Sequence, residues 1–248
     1  MKKMIGLSGG INSMAVLCWL ATQPEEFKPD ELHLFYAHFE EHSPGTLEFV
    51  HAGVEYAKKH FKNVVYKETW NSVIEFFRKE KFIPHPMHAP CTRALKITPA
   101  KKYMEEQQID VDLVGYVRTE ARRMNRMLEK APENKHFKEF PIIDKDNDWC
   151  FEIVKKEIGW YPAIYDLKDE NGKRVFSHNN CLPCKNMTIK QMEQVKKYYP
   201  EYLEKAVQLS EELKQYWGRS KNDFYTKFGR EDYEKEYMEQ PCPICSFD

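Results

Sequence analysis

The chain has 248 residues, 42% of them hydrophobic and 14% aromatic, and its 38 basic and 39 acidic side chains give a formal net charge of −1 at pH 7. This composition excludes a disordered chain, and no apolar run reaches the roughly 18 residues of a membrane-spanning helix. A nearly neutral chain does not bind nucleic acid through bulk charge alone, although a local basic patch remains open.

Strand-like and helix-like segments alternate over the first 145 residues. The predicted strands are Lys3–Ser8, Glu31–Phe39, Val64–Lys67, Val111–Val117 and Phe140–Ile143. The predicted helices are Met14–Thr22, Thr46–Phe61, Asn71–Lys81 with Asn71 as its cap, Pro99–Gln108 and Glu120–Lys130. Strands separated by helices favour parallel βαβ units, so we expect an α/β fold with a doubly wound, mostly parallel sheet.

The last third of the chain has a different character. It is charged and mostly helical, with breaks at Pro200 and near Gly218, and it carries cysteines. We therefore expect an α/β domain over residues 1–145 and a helical, cysteine-bearing region over residues 146–248 that packs on this core.

A glycine-rich turn, Ser8-Gly9-Gly10-Ile11-Asn12-Ser13, joins the first predicted strand to the first predicted helix. Two glycines allow a tight turn with inward-facing N–H groups, and the helix adds its positive end. At the carboxyl end of the first strand of an α/β sheet, this turn predicts a phosphate site rather than an ordinary loop. It is not a GxxxxGK[ST] loop, which disfavours P-loop kinase or GTPase chemistry.

The turn resembles the SGGxDS signature of the PP-loop family, whose fold is called adenine nucleotide α-hydrolase-like. The resemblance implies an enzyme that uses ATP with Mg²⁺, splitting it between the α and β phosphates to adenylate a substrate. It implies a nucleotide site formed by Ser8, Gly9, Gly10, Asn12 and Ser13. Asn12 stands where the family usually has Asp, which removes one negative charge from the loop.

Three further segments resemble the phosphoadenosine phosphosulfate (PAPS) reductase-like branch of that family. Pro90–Pro99 resembles its Cys-x-x-x-Leu-Lys-x-x-Pro segment, and Val114–Arg123 resembles its Gly-x-Arg-x-x-Glu-x-x-Arg segment with the first Arg displaced by one position. Asn179–Cys184 resembles its downstream CxxC loop. All of these occur in the family's order, and they add Lys96 and Gly115 to the implied nucleotide site.

Three arginines, Arg118, Arg122 and Arg123, follow the predicted fourth strand. Guanidinium groups bind tetrahedral oxyanions in a bidentate manner, so these residues are candidates for stabilising charge on the transferring group. The alternative is that they are surface charges on an amphipathic helix, and Lys96 has the same alternative as a solvated lysine.

Seven cysteines are present, and four of them form two CxxC pairs. An odd count in a chain of this length argues against a disulfide framework, so we expect a cytoplasmic protein whose paired thiols bind metal or act in redox chemistry.

The cysteines leave several metal sites open. The resemblance to iron–sulfur members of the branch implies a [4Fe–4S] cluster on Cys91, Cys181 and Cys184, with an open iron or with Cys242 or Cys245 as the fourth ligand. The pattern CxxC…CxxC is equally typical of tetrahedral zinc on Cys181, Cys184, Cys242 and Cys245. The resemblance favours iron–sulfur.

The last CxxC, Cys242-Pro243-Ile244-Cys245, has a second interpretation as a catalytic thiol. Sulfonucleotide reductases carry a nucleophilic cysteine in a Glu-Cys-Gly-[Ile/Leu]-His tail, but this tail lacks the Gly and the His. A thiolate nucleophile also needs a lowered pKa, which nearby arginines would supply.

The sequence thus predicts a PAPS reductase-like enzyme that adenylates an acceptor with ATP and transfers sulfur or nitrogen to it. One alternative is reduction of adenylylsulfate or its 3′-phospho form to sulfite by a tail cysteine. Another is a non-catalytic, zinc-stabilised binder of nucleotide or nucleic acid. A sulfur donor protein and a nucleic-acid acceptor are open as partners, and no membrane association is expected.

Overall fold

A computed structural model of the chain describes residues 1–83, 90–129, 137–184 and 186–215. The described residues form two compact units. The first comprises Met1–His38, His42–Trp70 and Leu95–Asn179, and the second takes in the described residues of Phe39–Glu41, Asn71–Ala94 and Asn180–Asp248. The first unit extends past residue 145, the expected end of the α/β domain.

One sheet of five strands organises the described residues. The strands are β1 (Lys2–Gly6), β2 (Glu31–Phe39), β3 (Val64–Asn71), β4 (Val111–Leu113) and β5 (Phe137–Glu139). The helices are α1 (Ile11–Ala21), α2 (Thr46–His60), α3 (Val73–Glu80), α4 (Thr98–Gln107), α5 (Ala121–Glu129), α6 (Asn147–Glu157), α7 (Ile189–Tyr198) and α8 (Pro200–Leu213).

The strand order is β3-β2-β1-β4-β5, and β1 runs parallel to both β2 and β4. The chain therefore builds the sheet in one direction from β1 to β3 and then in the other direction from β4 to β5. Ligands of open α/β sheets bind where the order reverses, outside the carboxyl ends of the strands. The fold confirms the predicted α/β class and directs attention to the ends of β1 and β4.

Helix α1 is the central helix of the first unit. Its segment Met14–Cys18 is almost completely buried, as expected for a helix that is apolar on every side. It contacts α2 and α6, and α6 turns its Cys150 and Val154 side chains into the same interior.

The second unit contains α3, α7 and α8, and a buried carboxylate fixes the start of α3. Glu41 accepts hydrogen bonds from the backbone nitrogens of Val73 (2.8 Å) and Ile74 (3.1 Å) and from the Ser72 hydroxyl (2.5 Å). A negative charge at this position satisfies N–H groups that the helix leaves open and favours its positive end.

Several predicted boundaries differ from those of the structure, and two of the differences have a simple local reason. Ser72, rather than Asn71, caps α3, since its hydroxyl accepts from the Glu75 nitrogen at 3.2 Å. The last strand lies at Phe137–Glu139 rather than Phe140–Ile143. Pro141 has no N–H to donate to a strand ladder, so the apolar residues after it form a turn instead.

The fourth strand is shorter than predicted. It ends at Leu113, and the Tyr116 nitrogen donates to the Val114 oxygen at 2.9 Å, which bends the chain away from the sheet. This bend carries Gly115 and the residues after it across the carboxyl end of β1.

Candidate functional site

The turn between β1 and α1 is tight and depends on its first glycine. Gly9 has a φ of +73°, and a Cβ atom built on it would lie 2.3 Å from the Thr46 Cγ2 atom. Both the backbone conformation and the available space therefore require glycine at this position. Gly10 follows as the residue at the start of α1, and a Cβ there would come within 3.1 Å of the Ser8 hydroxyl.

The two serines of the turn have different environments. The Ser13 hydroxyl is buried, donates to the Gly10 oxygen at 3.0 Å and accepts from the Ser8 nitrogen at 3.2 Å. The Ser8 hydroxyl accepts from the Gly10 nitrogen at 3.3 Å and lies at the exposed side of the turn. Ser13 thus holds the turn in shape, while Ser8 is exposed and its hydroxyl lies 3.2 Å from the Ser13 hydroxyl.

A buried tyrosine lies beneath the turn, and no sequence motif indicated it. The Tyr165 hydroxyl accepts from the backbone nitrogens of Ile11 and Asn179, each at 3.0 Å. Burial raises the pKa of Tyr165 to about 12, so the phenol is neutral at physiological pH. The Ile11 N–H at the start of α1 is therefore bonded to the protein itself rather than open to an anion.

Asn179 joins the turn to the loop before α2. Its amide nitrogen donates to the Gly9 oxygen at 3.1 Å and to the Thr46 hydroxyl at 2.7 Å, and its amide oxygen accepts from the Ser43 hydroxyl at 3.0 Å. Every polar atom of this buried amide has a partner, which makes it a rigid support for the turn. Asn179 is 170 positions from Gly9, so no local pattern reveals the contact.

A cavity of about 930 Å³ opens beside the turn, at the carboxyl ends of β1 and β4 where the strand order reverses. This volume is within the usual range of small-molecule sites. An apolar wall is formed by Met4, Phe35, Ala37, Ala100 and Met104. Five basic side chains also line it, namely Lys96, Lys101, Arg123, Arg126 and Lys138. Asp112 and Glu129 are its acidic residues, and Asp112 forms an ion pair with Lys138.

Four of the predicted site residues line this cavity together: Ser8, Lys96, Gly115 and Arg123. They come from three separate segments of the sequence. Gly115 also has a packing role, since a Cβ atom there would lie 2.9 Å from the Asn12 backbone oxygen. Gly9, Gly10, Asn12 and Ser13 form the turn next to the cavity rather than its lining.

The three predicted arginines differ in their contacts. Arg123 pairs with Glu120, and its guanidinium lies 4.7 Å from the centre of the Tyr116 ring. Arg118 donates instead to the backbone oxygen of Asp144 at 2.6 Å. Arg122 is exposed and, like Arg118, is outside the cavity lining, whereas Arg126 belongs to that lining. The roles predicted for Arg118, Arg122 and Arg123 remain predictions.

Three of the cysteines predicted to bind metal are among the described residues, and all three belong to the second unit. Cys181 is buried, and Cys91 and Cys184 are partly exposed. Within the described ranges, no three His, Cys, Asp or Glu side chains are arranged to hold a metal ion. The ligand roles predicted for these three cysteines stay predictions. Cys242 and Cys245, the other predicted ligands and the candidate nucleophiles, lie outside the described residues.

The remaining two cysteines are structural. Cys18 in α1 and Cys150 in α6 are completely buried, and burial raises the pKa of each thiol to about 12. Such thiols stay protonated and unreactive at physiological pH.

No helix in the described part of the chain is both long and apolar enough to span a membrane. No curated protein matches the chain. Among solved structures, the chain is similar to the U34-tRNA thiolase NcsA from Methanococcus maripaludis with its [4Fe-4S] cluster, at 15% sequence identity and a TM-score of 0.45. That similarity covers 89% of this chain and 74% of the other.

The sequence profile of the phosphoadenosine phosphosulfate reductase domain matches residues 2–187. This range includes the glycine-rich turn, all five strands and the first CxxC pair, and it confirms the resemblance inferred from the motifs. The chain belongs to the phosphoadenosine phosphosulfate reductase domain family.

Proposed function

We propose that the first unit binds an adenine nucleotide in the cavity beside Ser8 and that the protein is an ATP-splitting enzyme. In this reaction an acceptor oxygen attacks the α phosphorus of ATP, and pyrophosphate leaves. Sulfur or nitrogen then attacks the adenylated acceptor and displaces AMP. The observation that carries the proposal is the convergence of Ser8, Lys96, Gly115 and Arg123 on one cavity.

The two kinds of cavity wall match the two ends of a nucleotide. The apolar side chains around Phe35 and Met104 offer a surface for the purine, whose faces are poorly solvated. The basic side chains exceed the acidic ones, which favours a group with several negative charges such as a polyphosphate.

Individual residues have distinct tasks in this proposal. The Ser8 hydroxyl donates a hydrogen bond to a phosphate oxygen, and Lys96 adds a positive charge on a flexible side chain. Arg123, fixed by its ion pair with Glu120, stabilises charge that develops on the transferring group. Magnesium that arrives with ATP neutralises part of the phosphate charge. No step is assigned to a cysteine-bound metal.

Reduction of a sulfonucleotide is the second candidate, and the family match favours it. The nucleophile in this alternative is the tail cysteine predicted from the sequence, Cys242 or Cys245, and none of the described residues that line the cavity is a cysteine. The same cavity would then hold adenylylsulfate or its 3′-phospho form.

A thermal-shift comparison distinguishes the two candidates. Anaerobically purified protein is tested with ATP and Mg²⁺, with adenylylsulfate and with its 3′-phospho form. A ligand present at a hundredfold excess over its Kd stabilises the folded state by about 2.7 kcal/mol. We expect selective stabilisation by ATP, followed by release of pyrophosphate when an acceptor is supplied.

Two variants test whether ATP binds in the cavity beside Ser8. Ser8→Ala should weaken ATP binding by about 1–3 kcal/mol, since a charged hydrogen bond is lost. Ser177→Ala, at an exposed position of the same unit, should bind ATP like the wild type. Selective stabilisation by a sulfonucleotide would support the reductase instead, and no stabilisation by any of the three would contradict both candidates.

A further inference from the structure

Asn12 and Glu120 form a partly buried polar pair at the edge of the glycine-rich turn. The Asn12 amide nitrogen lies 3.3 Å from the Glu120 Oε2 atom, and the Glu120 side chain is only 11% exposed. An ionised carboxylate accepts hydrogen bonds and cannot donate them, so the amide is the donor. The Asn12 Oδ1 atom is buried and has no hydrogen-bond partner within the described ranges, which leaves Glu120 as the group that orients the amide.

The other oxygen of Glu120 faces Arg123. Glu120 Oε1 pairs with the Arg123 guanidinium, which lies 4.7 Å from the centre of the Tyr116 ring. Arg123 and Tyr116 both line the cavity. A continuous series of contacts therefore connects Asn12 in the turn, through Glu120, to a cation at the cavity wall.

The amide at position 12 matters because it is uncharged, rather than because of its shape. Asparagine and aspartate have nearly the same size, but an aspartate here would place two carboxylates about 3 Å apart in a little-exposed site. Like charges at that distance require a proton or a cation between them, whereas an amide and a carboxylate attract each other directly.

We propose that Asn12 is a positioning residue that holds Glu120, and through it Arg123, against the cavity, and that its amide makes a divalent cation unnecessary at this point. The action of Arg123 on a bound nucleotide rests on the proposed function. The Asn12–Glu120 pairing does not, and it is tested without nucleotide.

The test uses a charge swap across the pair. Asn12→Asp, Glu120→Gln and the double variant Asn12→Asp/Glu120→Gln are compared with the wild type in full-length protein freed of metal with a chelator. Asn12→Asp should melt at a lower temperature than the wild type, because two carboxylates now repel each other. The double variant should recover stability without metal, since the amide introduced at position 120 can donate to the carboxylate introduced at position 12 and so replace the original hydrogen bond.

Metal alone supplies the second measurement. Titration with Mn²⁺, followed by electron paramagnetic resonance, should show one additional bound ion in Asn12→Asp that the wild type and the double variant lack. Mn²⁺ should also restore the melting temperature of Asn12→Asp. Asn125→Asp, which adds the same charge at an exposed position of α5, should gain neither property.

Nucleotide binding is measured separately. Glu120→Gln should weaken ATP binding about tenfold, in line with the loss of an ion pair that holds Arg123 in place. If Asn12→Asp in chelator is as stable as the wild type and gains no Mn²⁺ site, the positioning proposal is wrong. If the wild type binds no nucleotide at all, the proposed function fails, while the metal titration still decides the role of the pair.

Discussion

The Tyr165 hydroxyl lies 3.0 Å from the backbone nitrogen of Ile11, at the first residue of the helix that follows the glycine-rich turn. The same hydroxyl accepts from Asn179 at 3.0 Å. One phenol oxygen therefore holds two backbone segments that are far apart in the sequence. Because the site is buried, neither N–H can bond to water if that oxygen is removed.

Replacing Tyr165 by Phe should reduce the free energy of unfolding by about 1–3 kcal/mol for each N–H left without an acceptor. Chemical denaturation at neutral pH measures the change. Tyr198→Phe serves as the control, because Tyr198 is 48% exposed and should be nearly neutral to this substitution. Equal stabilities of Tyr165→Phe and Tyr198→Phe would show that the hydroxyl contributes nothing to the turn.

Gly9→Ala should destabilise the protein more than Gly172→Ala. Both glycines have positive φ angles, +73° and +75°, but only the added methyl at position 9 collides with Thr46. The shared conformational cost is about 1 kcal/mol, and the collision adds to it. Adding Thr46→Ser to Gly9→Ala removes the colliding methyl while keeping the hydroxyl, so it should restore part of the stability. Equal costs at positions 9 and 172 would contradict the predicted collision.

Alkaline pH should weaken the fold before it ionises the two buried thiols of the native protein. The pKa values of the Cys18 and Cys150 thiols are raised from 9.0 to about 12, chiefly by burial. Groups with raised pKa values stabilise the folded state fully below the unfolded pKa and lose that contribution as pH rises toward the folded one. The free energy of unfolding should therefore fall between about pH 9 and pH 12, by about 1.4 kcal/mol per pH unit for each group.

Denaturation curves measured across this pH range check the expectation. Cys150→Ala should have a shallower dependence than the wild type, although it is less stable at neutral pH because it leaves a cavity. An unchanged slope in this variant would show that the Cys150 thiol does not contribute.

Glu41→Gln should destabilise α3 by about 1 kcal/mol. The variant keeps one acceptor oxygen but loses the negative charge at the start of the helix and one of the charge-assisted bonds to Val73 and Ile74. Its neighbour provides the control: Glu40 is exposed, and Glu40→Gln should be close to neutral. Hydrogen exchange of the α3 amides would localise the effect. If these amides are equally protected in the wild type and in Glu41→Gln, Glu41 has no capping role.

The sequence-based metal prediction is tested by metal analysis of anaerobically purified protein. We expect iron in excess of zinc, and Cys181→Ser should reduce the metal content and the melting temperature together. Cys18→Ala should keep the metal, because Cys18 lies inside α1 and has no role in the predicted site. Full metal content in Cys181→Ser would remove Cys181 from the set of ligands.

Local patterns were sufficient for the parts of the site that lie next to each other in the chain. The turn from Ser8 to Ser13 could be predicted because glycine, strand and helix signals coincide within a few residues. The parallel sheet followed from the alternation of strands and helices. Errors occurred where one residue prevents the structure that its neighbours favour. Pro141 does this after the final strand.

The supports of the turn could not be predicted in the same way. Tyr165 and Asn179 are separated from their partners in the turn by 154 and 170 positions. A tyrosine in an apolar segment and an asparagine in a polar one are both ordinary residues until the fold brings them together. Glu120 is similar, since nothing near it in the sequence indicates that it pairs with Asn12.

The position of these supports in the chain has a consequence for biosynthesis. Ribosomes deliver the glycine-rich turn first, while Tyr165 and Asn179 emerge only after the whole sheet has been made. A nascent chain that ends before them exposes an Ile11 N–H and a Gly9 carbonyl that still lack their final partners. The turn thus gains its supporting hydrogen bonds late in synthesis, when the residues at the end of the first unit reach those at its beginning.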